Sequence, residues 1–252
     1  MEIVAVTLDS KGQRYKNFLK NNFHLDINPF EAVVGKNLSE KEILDENLAT
    51  SELISNKNVF SLGAMGCAAS HKKIWKQCLD QKKSILVLED DCYTHPQIKE
   101  FIAVNKKILD SCDMCYFGLH LNSVIQVQSP QGLLFSNIYF DPGYPNPDWI
   151  KKAFSKTDIA KVLFNKLIKG FGTWAYYITP KGAEKLINLI FPLSLETTKI
   201  PLIYHGKSVN MPIFSIDRAG CKIYKDINVL MTYPFLAYNE NREISTTCHT
   251  TQ

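Results

Sequence analysis

Four consecutive aliphatic residues, Ile85-Leu86-Val87-Leu88, run directly into three carboxylates, Glu89-Asp90-Asp91. A strand with one wet face alternates apolar and polar residues, whereas an unbroken apolar run of this length is what a strand covered on both faces requires. Such a strand belongs in the middle of a sheet with helices above and below. In open α/β sheets, ligands bind beyond the carboxyl ends of the strands, and that is where the three carboxylates fall.

The flanking segments agree. Residues 2–8 read as a buried strand, broken by Asp9-Ser10-Lys11-Gly12 before a polar helix to about Asn21. Residues 30–34 form a second strand closed by Gly35, residues 39–53 an exposed helix capped by Ser39, and residues 63–83 a long amphipathic helix. Downstream, 94–109 reads as helix, 114–121 as strand, and 124–127 with 133–140 as two further strands forming a hairpin. Residues 172–178 make another strand, after which Thr179-Pro180 supplies an N-cap and a first-turn proline for a helix through Ile190. This alternation predicts an α/β, Rossmann-like three-layer sandwich with a mainly parallel central sheet.

At 252 residues and 45% hydrophobic, the chain can bury a sizeable core, and its length excludes three or more domains. A net charge of +4 is too small for a dedicated nucleic-acid binder, and no nucleic-acid partner is expected. No run approaches the ~20 apolar residues of a membrane span, and residues 1–10 carry an acid and a strand pattern in place of a signal peptide. A cytoplasmic location is expected. The seven cysteines are odd in number and dispersed, so they read as reduced thiols. Cys112-Asp113-Met114-Cys115 lacks a second pair at zinc-site spacing. Residues 141–150 read as a turn-rich loop whose Tyr144 and Trp149 are candidates to stack on an acceptor sugar. Residues 151–169 hold six lysines against one aspartate; this is either a solvated helix face or a basic surface for anionic lipid or a phosphorylated glycolipid.

Adjacent carboxylates each raise the cost of ionising the next, so Glu89, Asp90 and Asp91 call for a compensating cation. A hard divalent ion such as Mg2+ or Mn2+, completed by phosphate oxygens and water, suits them; a solvated turn at a helix start is the alternative. An aspartyl phosphatase would need Asp where Glu89 stands, and neither a phosphate loop nor a G-x-G-x-x-G is present. His71 precedes Trp75 by four residues and Cys78 by seven, on one helical face with them, as a hydrogen-bonded core histidine or a functional one.

Three strings in order carry a resemblance. Gly63-Ala64-Met65-Gly66-Cys67-Ala68-Ala69-Ser70-His71 follows G-x-x-G-C-x-x-S-H, and Leu88-Glu89-Asp90-Asp91 is L-E-D-D. Gly172-Thr173-Trp174-Ala175-Tyr176-Tyr177-Ile178-Thr179-Pro180-Lys181-Gly182-Ala183 is close to G-T-x-A-Y-x-I-S-P-x-G-A. With the opening strand and Arg14, these resemble glycosyltransferase family 25, the bacterial lipooligosaccharide galactosyltransferases and their relatives, from residue 1 to about 245.

The resemblance implies one GT-A-like domain over 1–245, with 1–121 holding the nucleotide sugar and 122–245 the acceptor, then a polar tail at 246–252. It implies transfer of a hexose, most often galactose from UDP-galactose, with Mn2+ or Mg2+, to a glycolipid or oligosaccharide acceptor of lipooligosaccharide or lipopolysaccharide biosynthesis. UDP-glucose and UDP-N-acetylhexosamine are alternative donors, a non-catalytic binding protein is the competing class, and inversion to a β-linkage is expected. The place implied is the inner face of a bacterial membrane, with peripheral contact through 151–169.

Residue by residue, Glu89 and Asp91 would hold the metal and Asp90 would sit on the ribose or donor sugar. Ser70 and His71 would position the donor, Thr7 and Leu8 would offer backbone contacts to uracil and ribose, and Arg14 would pair with phosphate or brace the site. An inverting transfer needs a base for the acceptor hydroxyl, and Asp217 is the candidate, with His71 and Asp90 as the other catalytic candidates. Here Pro212 and Asp217 stand further apart than in the family's P-[IV]-D-x-x-[LM], which leaves a salt bridge or helix cap open for Asp217. His205 and His249 are alternative late metal or phosphate ligands.

Overall fold

The computed structural model describes residues 1–129, 132–140, 145–201 and 207–240. Along the chain, β1 (Glu2–Thr7), α1 (Gln13–Asn21) and β2 (Asn28–Glu31) open the fold, followed by α2 (Glu40–Asp45), α3 (Ser51–Ser55) and the long α4 (Leu62–Gln81). Next come β3 (Ile85–Glu89), β4 (Cys92–Thr94), α5 (Ile98–Val104), α6 (Lys106–Ser111), β5 (Met114–Tyr116), and the antiparallel hairpin β6 (Ile125–Gln128) and β7 (Phe135–Ile138). The remaining elements are α7 (Pro147–Lys156), β8 (Leu163–Lys169), β9 (Ala175–Ile178), α8 (Pro180–Ile190), β10 (Thr197–Pro201), β11 (Ser208–Pro212), α9 (Ile216–Ile223), β12 (Val229–Tyr233) and β13 (Ala237–Asn239).

Among the described residues, nine strands form one mixed sheet in the order β2-β1-β3-β9-β5-β12-β8-β6-β7. Strands β2, β1, β3, β5, β12 and β6 run one way; β9, β8 and β7 run against them. The sheet is thus mixed where a mainly parallel one was expected: six of its nine strands share one direction, but β9 is inserted antiparallel between β3 and β5, and β8 and β7 add further antiparallel pairings.

Because strand side chains alternate, β3 feeds two cores. Ile85 and Val87 face α4, α8 and α9, where Met65, Trp75, Leu186 and Ile223 are buried. Leu86 and Leu88 face Tyr15 and Phe18 of α1 and Phe101 and Ile102 of α5. All four apolar residues of β3 are fully buried, as an unbroken apolar run demands. Asn22, also fully buried, ties the end of α1 to β4 by donating to the Cys92 carbonyl at 2.9 Å and accepting from Thr94 N at 2.8 Å.

Several expectations need correcting. The single helix over 39–53 is two helices: Ser39 and Glu42 close a capping box on α2, Asn47 turns the chain at φ 48°, and Thr50 caps α3. Residues 92–94 are strand, paired with β13, so the helix expected from Thr94 starts at Ile98. Residues 151–169 are not one amphipathic helix, since α7 ends at Lys156 and β8 takes up 163–169. Lys166 and Lys169 send their ammonium groups inward, to the Tyr224 and Ile227 carbonyls and to the Cys221 carbonyl respectively, and burial lowers both pKa values. Trp149 lies on α7, its ring edge-on to Tyr238 at 5.2 Å, rather than in a loop. Tyr144, His205, His249 and the tail 246–252 lie outside the described residues.

Cys112 and Cys115 are fully buried thiols; burial pushes Cys112 up to about 12 and Cys115 well above its ordinary value. Among the described residues, no helix is long and apolar enough to cross a membrane.

Candidate active site

The carboxyl ends of β1 and β3 lie side by side, and there the alternation of β3 separates its carboxylates. Asp90 turns toward α1. It accepts the Thr7 hydroxyl proton at 2.6 Å and pairs with Arg14 at 2.6 Å. Arg14 reaches Asp91 as well, at 3.4 Å, and so spans both aspartates. Thr7 thus contributes its side chain to the acidic rim, while Leu8, 52% exposed, leaves the sheet beside it.

Asp91 is the unbalanced member. Its Oδ1 is buried and meets no hydrogen-bond donor among the described residues. Burial first, and then the charge of Glu89, raise its pKa to about 7 against the pull of Arg14. A folded-state value of about 7 against the ordinary 3.8 makes this group's contribution to stability full below pH 3.8 and lost as the pH rises through about 7. In metal-free buffer, wild type should therefore lose melting temperature relative to Asp91→Asn as the pH is raised across that window. Parallel pH slopes for the two proteins would contradict the assignment.

Glu89 points to the opposite face, toward α4. Its Oε1 accepts the Thr173 hydroxyl at 2.5 Å and lies 3.5 Å from His71 Nε2. Burial works to raise the Glu89 pKa, but the contacts with His71 and Thr173 and the charge of His120 overcome it and hold the carboxyl below its ordinary value. The ionised Glu89, whose charge bears on Asp91, and the orphaned Asp91 oxygen offer hard oxygen donors of the kind Mg2+ or Mn2+ takes.

Behind Glu89, His71 Nδ1 lies 2.6 Å from the Tyr176 hydroxyl, which also receives Trp75 Nε1 at 2.9 Å. Cys67 stands one helical turn before His71, and its sulfur, His71 Nε2 and a Glu89 oxygen all lie within 4.8 Å of one another. Ser70 is committed elsewhere: its hydroxyl donates to the Gly66 carbonyl at 2.7 Å and accepts Val33 N at 2.8 Å, binding α4 to the chain after β2. Gly66 permits that approach, because a Cβ there would stand 2.5 Å from the Val33 carbonyl oxygen and 2.6 Å from Gly35 N.

Asp217 lies in the first turn of α9, where its Oδ1 accepts from the Ser215 hydroxyl at 2.6 Å and from Arg218 N at 2.8 Å. Its charge reaches His120, whose ring is edge-on to Trp174 at 4.3 Å and whose pKa is lowered by burial against the pull of Asp217 and Glu89. The charges of Asp217 and Glu89 both act on His120, while Asp90 pairs with Thr7 and Arg14 toward α1.

Cys67, Thr173, Tyr176, Trp75 and His120 were not singled out as site residues from the sequence. The signal for Cys67, Thr173 and Tyr176 was the motif strings in which they stand. For His120 there was none.

A family model described as "Glycosyltransferase family 25 (LPS biosynthesis protein)" matches residues 1–200. A "Glycosyltransferase 25 family member" from Anopheles gambiae is 28% identical over 125 residues, covering 46% of this chain and 21% of its own. One of the same description from Aedes aegypti is 30% identical over 129 residues, covering 46% and 21%. The chain thus spans about a fifth of the length of the curated relatives it matches. Asp217 lies beyond the family-matched stretch, and the acidic rim lies inside it.

Proposed function

From the premise that this chain belongs to glycosyltransferase family 25, we propose that it transfers galactose from UDP-galactose to a sugar of a glycolipid or oligosaccharide acceptor, on a GT-A-like fold and with a divalent metal. The observation that carries this reading is the Asp91 carboxylate, buried at one oxygen with no partner among the described residues, within the field of an ionised Glu89 and under the span of Arg14. Glu89 and Asp91 would hold Mn2+ or Mg2+, which supplies positive charge to a departing diphosphate. Arg14 holds Asp90 and Asp91 in place at the rim, and Thr7 fixes the second oxygen of Asp90.

The test is a screen for donor hydrolysis and transfer over several UDP-sugars with and without Mn2+. UDP-galactose is expected to be used best. Preference for UDP-glucose or a UDP-N-acetylhexosamine would change the donor, and UDP binding without turnover of any sugar would favour a binding protein.

Asp217 is the proposed base, taking the acceptor hydroxyl's proton as that oxygen attacks with inversion. Its tether through Oδ1 to Ser215 and Arg218 N sets the carboxylate's direction. Asp217→Asn is expected to lower kcat roughly 100-fold with the donor KM unchanged. A kcat equal to wild type would remove Asp217 from the chemistry.

Peripheral contact with an anionic membrane at the inner face of a bacterial cell belongs to the same proposal. With Lys166 and Lys169 turned inward, it rests on exposed Lys151, Lys152 and Lys156 of α7 and on Lys161. Replacing the three α7 lysines by Glu should weaken binding to vesicles containing anionic lipid, and unchanged binding would discard the membrane role.

A further inference from the structure

The hydrogen bonds behind Glu89 determine where a proton sits. Trp75 Nε1 can only donate, and it donates to the Tyr176 hydroxyl oxygen at 2.9 Å. Tyr176 is 1% exposed, so its own hydroxyl proton needs an acceptor inside the protein. His71 Nδ1, at 2.6 Å, is that acceptor. An imidazole accepting at Nδ1 carries its proton on Nε2, and His71 Nε2 is buried, makes no hydrogen bond among the described residues, and has Glu89 Oε1 as a facing acceptor at 3.5 Å. With the proton on Nδ1, or on both nitrogens, the phenol would receive two N–H groups and its own buried proton would be left unpaired.

We propose that Trp75 and Tyr176 fix His71 as its Nε2–H tautomer, so that the imidazole serves as a neutral donor holding the Glu89 carboxylate in place at the rim of the sheet. The three are positioning residues acting through Glu89, and Thr173 supplies that carboxylate's second donor. The same tautomer withdraws the Nε2 lone pair from coordination. Cys67, His71 and Glu89, although their donor atoms lie within 4.8 Å of one another, therefore do not make a zinc site. The tautomer stands on geometry alone, whereas its effect on turnover rests on the glycosyltransferase reading.

Nitrogen NMR of the full chain labelled at histidine tests the tautomer directly, with the His71 signals assigned by their loss in His71→Gln. Wild type should show a protonated Nε2 and an unprotonated, hydrogen-bonded Nδ1, and a folded Tyr176→Phe variant should show a mixture of tautomers. A protonated Nδ1 in wild type, or an unmixed Nε2–H ring in folded Tyr176→Phe, overturns the proposal. Should Tyr176→Phe not fold, wild type alone decides the tautomer.

A second arm reads the consequence. A glutamine amide nitrogen stands near the place of Nε2 and keeps a donor toward Glu89, whereas an asparagine nitrogen stands near the place of Nδ1. We expect kcat/KM to fall roughly 10- to 100-fold further in His71→Asn than in His71→Gln. Equal losses would refute the role at Glu89. Absence of turnover with every UDP-sugar in wild type would count against the glycosyltransferase reading, and the NMR result would still decide the tautomer.

Discussion

Asp91→Asn is expected to lower the divalent-cation-dependent kcat/KM by roughly 100- to 1,000-fold, the loss that follows removal of one preorganised electrostatic stabiliser. The substitution conserves shape and hydrogen-bonding reach but replaces the rim carboxylate whose buried oxygen meets no donor among the described residues. Mn2+ titration of the variant should show binding weakened in parallel. In wild type, Mn2+ affinity should rise as the pH passes through about 7, because the proton on Asp91 must leave before a metal can bind. The variant's metal-free melting temperature at alkaline pH should equal or exceed that of wild type, since it no longer buries a charge beside Glu89. Loss of activity accompanied by a large drop in melting temperature would instead mark Asp91 as structural. Full activity would end the metal reading.

Gly182→Ala should destabilise the fold by about 3 kcal/mol, at the upper end of overpacking costs, and lower the melting temperature by roughly 6–12 °C. A Cβ on Gly182 would stand 1.7 Å from the Asp113 carbonyl oxygen and 2.4 Å from its carbon, and backbone cannot swing aside as a side chain can. The contact sits in the first turn of α8, where Thr179 Oγ1 accepts from Gly182 N at 3.1 Å and donates to the Cys112 carbonyl at 3.0 Å. Pushing α8 away would also disturb Asp113, a fully buried carboxylate that accepts from Lys185 at 2.7 Å and from Asn228 N at 2.8 Å. A thermal melt indistinguishable from wild type would show that this helix can shift at little cost. The glycine is thus explained by the close approach of α8 to the backbone just before β5, independently of any catalytic role.

Much of the architecture was legible because its causes are local. The unbroken run Ile85–Leu88 announced burial on both faces, and the structure sends Ile85 and Val87 into one core and Leu86 and Leu88 into the other. Ser39, and Thr179 with Pro180, announced helix starts because a cap and the backbone it serves lie within one turn, and the structure adds Glu42 as the partner of Ser39. Inside 39–53 the same reading failed. A second cap at Thr50 and the left-handed Asn47 divide the helix, and the charged, Leu-spaced pattern spans the break without revealing it. Lysines 166 and 169 misled for a related reason: composition counts a positive charge but does not say which carbonyl it reaches.

By itself, the sequence determined that the chain is an α/β protein with a doubly covered strand ending in an acidic rim, and its ordered motif strings pointed to the family. Only the tertiary structure decided how the rim is divided, with Asp90 held by Thr7 83 residues away and Glu89 held by Thr173 84 residues away on the other side of the strand. It likewise decided the state of His71, through a hydroxyl 105 residues distant. The physical reason is range. Periodicity and caps act within a few residues and leave a trace in the string, whereas a proton's position depends on donors and acceptors that become neighbours only when distant segments pack.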